Sequence, residues 1–361
     1  MKSGPSKIVR RVLGLLWIGL LRSTGCLRFV KWRLRSEGSV LVLMCHRVLA
    51  DPDFLETHSP ADIIVRECSF RDLIRYISSE CRVVPLHDAM PGIVGNKVQL
   101  VLTFDDGWSD NYTHVFPIVC KQGLPITIFL CSGVMAQNLP FWPERVAMLL
   151  KVADPTLSTD AIKTEIESLK SASPAHCEQY LGRLAARSHT NPENVRSAVD
   201  STLSWEQVLE MQSAGVGFGS HTHTHQILTH LLLENVRAET QTSKALIEQN
   251  LSRPCDCFTY PNGNWSQQVR DAVADAGYKF AFTTEAGTWS SNNDPLAIPR
   301  LNVSEENIVG WNKRFSSAVF DYHVFWKAWR ANRHQTPFLQ RALAALHLQS
   351  ARRIGAEGNI S

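Results

Sequence analysis

The amino-terminal part of the sequence lacks two features: an apolar run long enough to cross a bilayer and any acidic residue. The apolar run Val12–Leu21 has ten residues, about half of the 20 that a spanning helix needs. Residues 1–35 carry nine cations and no acid, so the net charge of +3 leaves −6 on the remainder. A basic body typical of nucleic-acid-binding proteins is therefore absent, and we expect no nucleic acid partner.

Several familiar motifs are also missing from the chain. Gly215-x-Gly217-x-Gly219 is followed by Ser220 and does not form the G-x-G-x-x-G loop of dinucleotide-binding proteins. Neither a G-x-S-x-G nucleophile elbow nor a G-x-x-x-x-G-K phosphate loop occurs. These absences argue against nucleotide chemistry and against a serine hydrolase.

Paired cysteine motifs are absent as well. The nine cysteines are an odd number, and Cys255 and Cys257 form C-x-C rather than the C-x-x-C of zinc or redox sites. Cys45 and Cys131 lie in apolar runs. This pattern favours buried free thiols in a reducing compartment over disulfides.

The apolar segment Val12–Leu21 has three interpretations. With Trp17 and cations on both sides, it is typical of a helix that lies on a membrane surface, through residues 8–35. It also resembles the apolar part of a signal peptide, followed by the lipoprotein-like stretch 23–26. The third interpretation is a helix that packs on the domain. We favour the first.

Strands and helices alternate from residue 39 to residue 303. Ser39–Met44, Val98–Phe104 and Pro125–Leu130 are short apolar runs that predict buried parallel strands with helices between them. Further short strands are expected near residues 216–219, 256–260 and 280–284. The alternation predicts an α/β fold, a distorted (β/α) barrel that is either complete or incomplete.

The flanking and inserted segments differ in texture from this repeat. Residues 1–38 form the basic apolar segment, and residues 140–200 are charged, rich in helix signals and free of clear strands. We interpret residues 140–200 as a helical insertion in a barrel domain of residues 39–303. Residues 304–361 are predicted to be a helical extension.

Asp105 and Asp106 come directly after the predicted strand Val98–Phe104. Two adjacent carboxylates repel, and burying both at a strand end is costly unless a cation compensates. One carboxylate can then bind a metal while its neighbour faces the substrate. The alternative is an ordinary polar turn, because Asp-Asp-Gly is a common turn sequence.

His221 and His225 follow another predicted strand with a spacing of four residues. A helical turn would place both imidazoles on one face, with His223 pointing away. An isolated pair is more often a surface or core feature. Together with Asp106, however, it supplies an Asp/His/His set suited to catalytic zinc, or cobalt.

These motifs resemble those of the polysaccharide deacetylases (carbohydrate esterase family 4, the NodB homology domain). Residues 103–107 (TFDDG) resemble the first motif, residues 219–225 (GSHTHTH) the second and residues 258–263 (FTYPNG) the third. Residues 44–48 (MCHRV) resemble the opening strand of one subgroup. The resemblance covers residues 39–303 and implies a distorted (β/α) barrel that removes an acetyl group from a sugar.

The resemblance also implies roles for individual residues. Asp105 would be the general base, and Asp106, His221 and His225 would bind the metal. Tyr260 would lend its backbone N–H to the oxyanion. Pro261 and Gly263, in the same motif, are expected at the substrate.

The sequence departs from the family in two places. The late Leu-x-His motif that supplies the general acid is not evident after residue 280, and the third motif lacks its arginine. His46 is our candidate for the acid and Arg300 for the residue that holds Asp105, since each follows a predicted strand. Trp142 is expected either to stack on a sugar or to lie in the core.

We therefore expect a metal-dependent hydrolase that acts on an acetylated glycan or a lipid-linked sugar. An inactive glycan-binding protein of the same fold is one alternative, and a deformylase is another. The free cysteines favour the cytoplasm or the cytoplasmic face of the membrane. An exported location is the alternative, because many members of the family act on exported polymers.

Overall fold

A computed structural model describes residues 7–137, 140–190 and 197–335. The strands are β1 (Val40–Cys45), β2 (Arg47–Leu49), β3 (Ile64–Arg66), β4 (Cys81–Val83), β5 (Val98–Phe104), β6 (Thr127–Leu130), β7 (Gly217–Ser220), β8 (Cys257–Thr259), β9 (Phe280–Phe282) and β10 (Leu301–Asn302). The helices are α1 (Lys7–Ser23), α2 (Cys26–Ser36), α3 (Asp51–Glu56), α4 (Glu67–Glu80), α5 (Phe116–Lys121), α6 (Ser132–Gln137), α7 (Trp142–Ala153), α8 (Thr159–Leu169), α9 (Pro174–Arg187), α10 (Trp205–Ser213), α11 (Leu233–Leu251), α12 (Gln267–Asp275), α13 (Glu305–Ile308), α14 (Ser317–Asp321) and α15 (Lys327–Gln335).

Eight strands form one curled parallel sheet. Its order is β10-β1-β5-β6-β7-β8-β9, and β4 pairs with the first half of β5. Ile298 bridges to Phe282 of β9, and β10, which begins three residues later in the chain, pairs with β1. The segment from Ile298 to β10 therefore joins the two edges of the sheet, and the predicted distorted (β/α) barrel is confirmed.

The strands form where the sequence offers short, fully apolar runs. All seven residues of β5 and all six of β1 are buried, as expected for strands covered on both faces. In parallel strands the carboxyl ends share one edge, so the residues after β1, β5, β7 and β8 meet at one rim. This rim carries the candidate site.

Of the helices between β6 and β7, three form a separate group: α7, α8 and α9. Their apolar side chains form a cluster of their own, which includes Val146, Leu149, Ile162 and Leu181. Ser158 and Ser173 cap α8 and α9 by accepting backbone N–H groups. The cluster lies beside the main core, so this segment builds a wall next to the barrel.

The amino-terminal residues form two helices that pack on the barrel. From α2, Leu27, Val30 and Leu34 are buried, while Ile18 of α1 contacts Val319 of α14. No single helix among the described residues meets the length and hydropathy of a membrane span. The bent pair formed by 9–23 and 26–36, at 68° to each other, meets them only jointly.

Candidate active site

Asp105 and Asp106 lie at the carboxyl end of β5, where they were expected. Both are buried, and the chain turns sharply because Asp106 and Gly107 have φ angles of 74° and 71°. A left-handed conformation is costly for aspartate and is retained where the surrounding structure requires it. The turn directs the two carboxylates into different surroundings.

The histidine loop reaches Asp106 without the helical turn that the sequence suggested. After β7 the chain is irregular, with positive φ at Thr222 and His225. The Nε2 atoms of His221 and His225 nevertheless lie 3.4 Å and 3.3 Å from the same oxygen of Asp106, Oδ1. His223 points away, with Nδ1 3.0 Å from the Ser132 hydroxyl.

Asp106, His221 and His225 fit a divalent metal. The backbone carbonyl of Thr259 lies 2.9 Å from His221 Nδ1, and a proton held there leaves the Nε2 lone pair facing Asp106. Burial lowers the pKa of His225 to about 4, so its imidazole is neutral, as a ligand must be.

Cys131 also lies beside this group, which the sequence did not indicate. Three atoms lie within 4.8 Å of one another: Sγ of Cys131, a carboxylate oxygen of Asp106 and a ring nitrogen of His225. The thiol donates a hydrogen bond to the His221 carbonyl at 3.2 Å. Burial raises the pKa of Cys131 well above its ordinary value, and the two aspartates raise it further.

Arg300 holds Asp105 by a bidentate contact. The two guanidinium nitrogens donate to the two carboxylate oxygens at 2.7 Å each, and both side chains are buried. Although burial alone would raise the pKa of Asp105, the charge of Arg300 lowers it, so the carboxylate is ionised. His46 Nε2 lies 4.0 Å from Asp105 Oδ2, and no described residue bonds to the buried Nδ1 of His46.

A second layer of side chains supports Asp106. The indole Nε1–H of Trp108 donates to Asp106 Oδ2 at 2.8 Å, and the Arg47 guanidinium lies 4.2 Å from the ring centre of Trp108. Arg47 is itself fixed by Asp110 and Asp200 at 2.9 Å and 2.5 Å. Trp108 is buried, and no pattern in the sequence indicates its contact with Asp106.

The turn after β8 corrects three expectations. The Tyr260 N–H donates to the Phe282 carbonyl at 3.1 Å, so the sheet uses the group that was expected at the oxyanion. Pro261 and Gly263 are not among the residues that line the cleft; they shape the turn that presents Asn262. A Cβ on Gly263 would lie 2.0 Å from Thr284 Oγ1, so a residue with a side chain would clash at this position.

The carboxylates and histidines open into a cleft of about 370 Å³ between the barrel rim and the inserted helices. Trp142 and Glu144 of α7 line it, and so do Lys163, Ile166 and Glu167 of α8 and Lys170, which directly follows that helix. Glu144 is buried and accepts a hydrogen bond from Ser59 at 2.8 Å. Burial raises the pKa of Glu144 to about 7.

Comparison with known proteins identifies the family. The sequence model described as "Polysaccharide deacetylase" matches residues 94–281, just over half of the chain. The chain therefore belongs to the polysaccharide deacetylase family, as its motifs indicated.

Individual relatives are distant. A Bacillus subtilis (strain 168) protein named "Putative polysaccharide deacetylase YxkH" is 23% identical over 57% of this chain. The chain spans about half (51%) of the length of that relative. Two solved structures have the same fold: Streptococcus pyogenes deacetylase PplD in complex with acetate (TM-score 0.52, 18% identity, 75% of this chain and 94% of that one) and IcaB from Ammonifex degensii (0.51, 18%, 78% and 97%).

Proposed function

We propose that the protein is a metal-dependent deacetylase, a hydrolase that removes an acetyl group from a sugar of a glycan or glycan precursor. One observation carries the proposal: Asp106, His221 and His225 converge beside a second carboxylate, Asp105, which Arg300 holds ionised. A metal-ligand set next to a positioned base is the arrangement that hydrolysis of an amide or ester requires. Family membership supplies the sugar substrate.

Asp106, His221 and His225 would hold the metal, for which zinc is our first choice and cobalt the second. A divalent ion there supplies Lewis acidity towards a carbonyl and lowers the pKa of bound water. Asp105 accepts the proton of the attacking water, because its oxygens keep lone pairs beyond those that Arg300 uses. His46, on the same rim, donates a proton to the leaving group.

The oxyanion contact requires a donor other than the Tyr260 N–H. We assign it to the backbone N–H of Asn262, which lies in the cleft wall with φ of 56°. Its side-chain amide already donates a hydrogen bond to Asn264 Oδ1 at 2.6 Å, so we assign the oxyanion contact to the backbone. A preorganised backbone donor at this point stabilises charge that develops on the acetyl oxygen.

The sugar substrate would occupy the cleft between the barrel and α7–α8. Trp142, half-buried in the cleft wall, is suited to stack on a sugar ring. Retention of kcat with a higher KM in Trp142→Ala would support this role, whereas unchanged kinetics would remove it. A lipid-linked sugar is our preferred substrate form.

We further propose a location at the cytoplasmic face of the membrane. All nine cysteines are unpaired, and five of them are buried. Exposed Cys68 and Cys120 offer a test with a membrane-impermeant maleimide. Labelling only after the cells are broken supports the proposal, and labelling of intact spheroplasts contradicts it.

The deciding experiment measures bound metal together with acetate release from a panel of N- and O-acetylated oligosaccharides. We expect one divalent ion per chain and acetate release, both lost in Asp106→Ala. Asp72→Ala is the control, because Asp72 is an exposed carboxylate on α4 that pairs with Arg75 and does not line the cleft. Formate release would favour a deformylase, and bound metal without turnover a glycan-binding protein. Absence of metal from the wild-type protein would contradict the mechanism.

A further inference from the structure

The two amino-terminal helices both expose large apolar side chains. On α1, Leu13, Leu16, Trp17 and Leu20 follow the i, i+3, i+4, i+7 spacing of one helix face. Phe29 and Trp32 of α2 lie one turn apart, with ring centres separated by 5.7 Å. The exposed fractions of these six side chains are 57%, 66%, 47%, 51%, 53% and 48%. We call these six residues the outer face.

The opposite sides of the same helices are anchored in the protein. Ile18 packs against Ala318 and Val319, while Val30 and Leu34 belong to the main core. The two helices are therefore a fixed part of the fold, and no residue in the described part of the chain covers the outer face. Four large apolar side chains on one face of α1 and an exposed aromatic pair on α2 mark an interaction site rather than scattered exposure.

The charge around the outer face favours an anionic partner. No acidic residue occurs before Glu37, and Arg11, Arg22 and Arg28 are exposed on the same two helices. Tryptophan and phenylalanine bordered by arginine are the side chains that settle at the boundary between lipid headgroups and acyl chains. Arginine adds attraction to anionic headgroups.

The anchoring also decides how these helices meet a bilayer. The pair reaches the length of a span only jointly and with a bend of 68°. Spanning would also expose the buried residues of α2, Leu27, Val30 and Leu34, which the core requires. Lying in the plane of the interface keeps those contacts and buries the outer face.

We propose that the outer face docks the protein on an anionic phospholipid bilayer. Docking rests on the outer face alone and not on the proposed chemistry. At the start of α1, Arg10 and Arg11 line one groove with Glu306 and Val309. Glu306 lies in the helix after β10, and Asn302 of β10 lines the catalytic cleft. The first turns of α1 therefore lie beside the helix that follows the cleft-lining strand β10.

The test is co-sedimentation of the full chain with vesicles of phosphatidylcholine alone or with 30% phosphatidylglycerol (about one lipid in three, enough to bind basic surfaces). We expect binding to the anionic vesicles that weakens with salt. Leu16→Glu should reduce the partition coefficient about tenfold or more. Leu55→Glu is the matched control, because Leu55 is 84% exposed on α3, outside the outer face. Quenching by brominated lipid should be stronger for the wild type than for Trp17→Phe.

The outcomes separate docking from catalysis. Equal binding of the wild type and Leu16→Glu, or none by either, overturns the proposal. A wild-type dimer that Leu16→Glu dissociates, without vesicle binding, would instead identify a protein interface and also overturn it. Acetate release from a water-soluble substrate should be the same in Leu16→Glu and the wild type, so a loss of docking is not confused with a loss of chemistry.

Discussion

At the level of single residues, Trp108 connects the site to its support. Its indole donates to Asp106 Oδ2, and its ring packs on Phe141 at 4.8 Å and on Arg47. Such contacts orient metal ligands, and their loss typically costs 10–100-fold in metal affinity. Trp108 is thus a positioning residue for Asp106.

Trp108→Phe should keep most of the packing and remove the hydrogen bond. We expect metal affinity to fall by about tenfold, because the freed Asp106 oxygen loses its fixed direction. Titration with zinc against a competing chelator measures this. Trp289→Phe, at another buried tryptophan next to Phe280 and Phe282, controls for the loss of volume. Equal affinity in the two variants would contradict the assigned role.

Glu144 should make stability depend on pH. Its pKa is about 7 in the folded protein against 4.5 in the unfolded chain, so the folded state holds the proton over this interval. The free energy of unfolding therefore falls as pH rises from 4.5 to about 7 and levels off above. Glu144→Gln removes the titrating group and therefore this fall in the free energy of unfolding. At about 1.4 kcal/mol per pH unit, the variant should gain up to about 3 kcal/mol relative to the wild type between pH 4.5 and pH 8.

Urea unfolding at pH 4.5 and at pH 8 checks this expectation. Glu167→Gln is the control, because Glu167 is exposed on the neighbouring helix α8. The Ser59 hydroxyl can still donate to the new amide oxygen, so the variant keeps that hydrogen bond. A difference between variant and wild type that is the same at both pH values would refute the assigned titration.

The sequence could reveal those site residues that follow strands in recognisable order. Asp105, Asp106, His221 and His225 come into contact because parallel strands end at one edge. Trp108, Cys131 and Glu144 carry no comparable pattern, because their contacts depend on side-chain directions. The Tyr260 N–H was assigned wrongly, since only the pairing of β8 with β9 shows that the sheet uses it.

At the level of elements, α11 fixes the histidine loop. One oxygen of Glu239 accepts the N–H groups of His223 and Thr224 at 2.8 Å each, and the other accepts the Thr224 hydroxyl. The loop has no helical hydrogen bonds of its own, so this carboxylate replaces them. The position of His225 therefore depends on a residue 14 positions further along the chain.

Glu239→Ala should loosen the loop and weaken metal binding. Removing the acceptor leaves the partly buried N–H groups of His223 and Thr224 unpaired, at a cost of about 1–3 kcal/mol each before the loop relaxes. We expect a lower melting temperature, with recovery of several degrees on adding metal. Glu234→Ala, exposed on the same helix, should change neither quantity. Unchanged metal affinity in Glu239→Ala would show that the loop holds itself.

Elements with strong local signals were predicted well. β5 has the predicted bounds, because its apolar run Val98–Phe104 is buried over its whole length. The predicted helical turn at 221–225 was wrong, because Glu239 and the positive φ angles of Thr222 and His225 stabilise an irregular loop. β10, with two residues, is too short to give a pattern, although Arg300 lies directly before it.

At the scale of the whole molecule, α2 contributes more buried side chains to the main core than α1 does. Burial of Leu27, Val30 and Leu34 contributes about 1.5–3 kcal/mol each, together comparable with the total stability of a domain. From α1, Ile18 and Leu21 are buried. The two helices should therefore differ in what their removal does.

Removing residues 1–25 should leave a folded protein with a lower melting temperature, whereas removing residues 1–36 should prevent folding. The cause is the loss of the α2 side chains from the main core. Calorimetry and soluble yield measure both variants, and Arg28→Ala, at an exposed position of α2, is the control. A folded, metal-binding chain that begins at Glu37 would show that α2 is dispensable.

The segment that closes the barrel determines when the catalytic site can assemble during synthesis on the ribosome. Asp105 and Arg300 are separated by 195 positions, and Arg300 reaches its place only when β10 docks on β1. A nascent chain that has emerged only to residue 290 already contains Asp106, His221 and His225 but not the partner of its base. The metal ligands are therefore synthesised first and Arg300 last. The chain completes its catalytic site only when β10 pairs with β1 and closes the barrel.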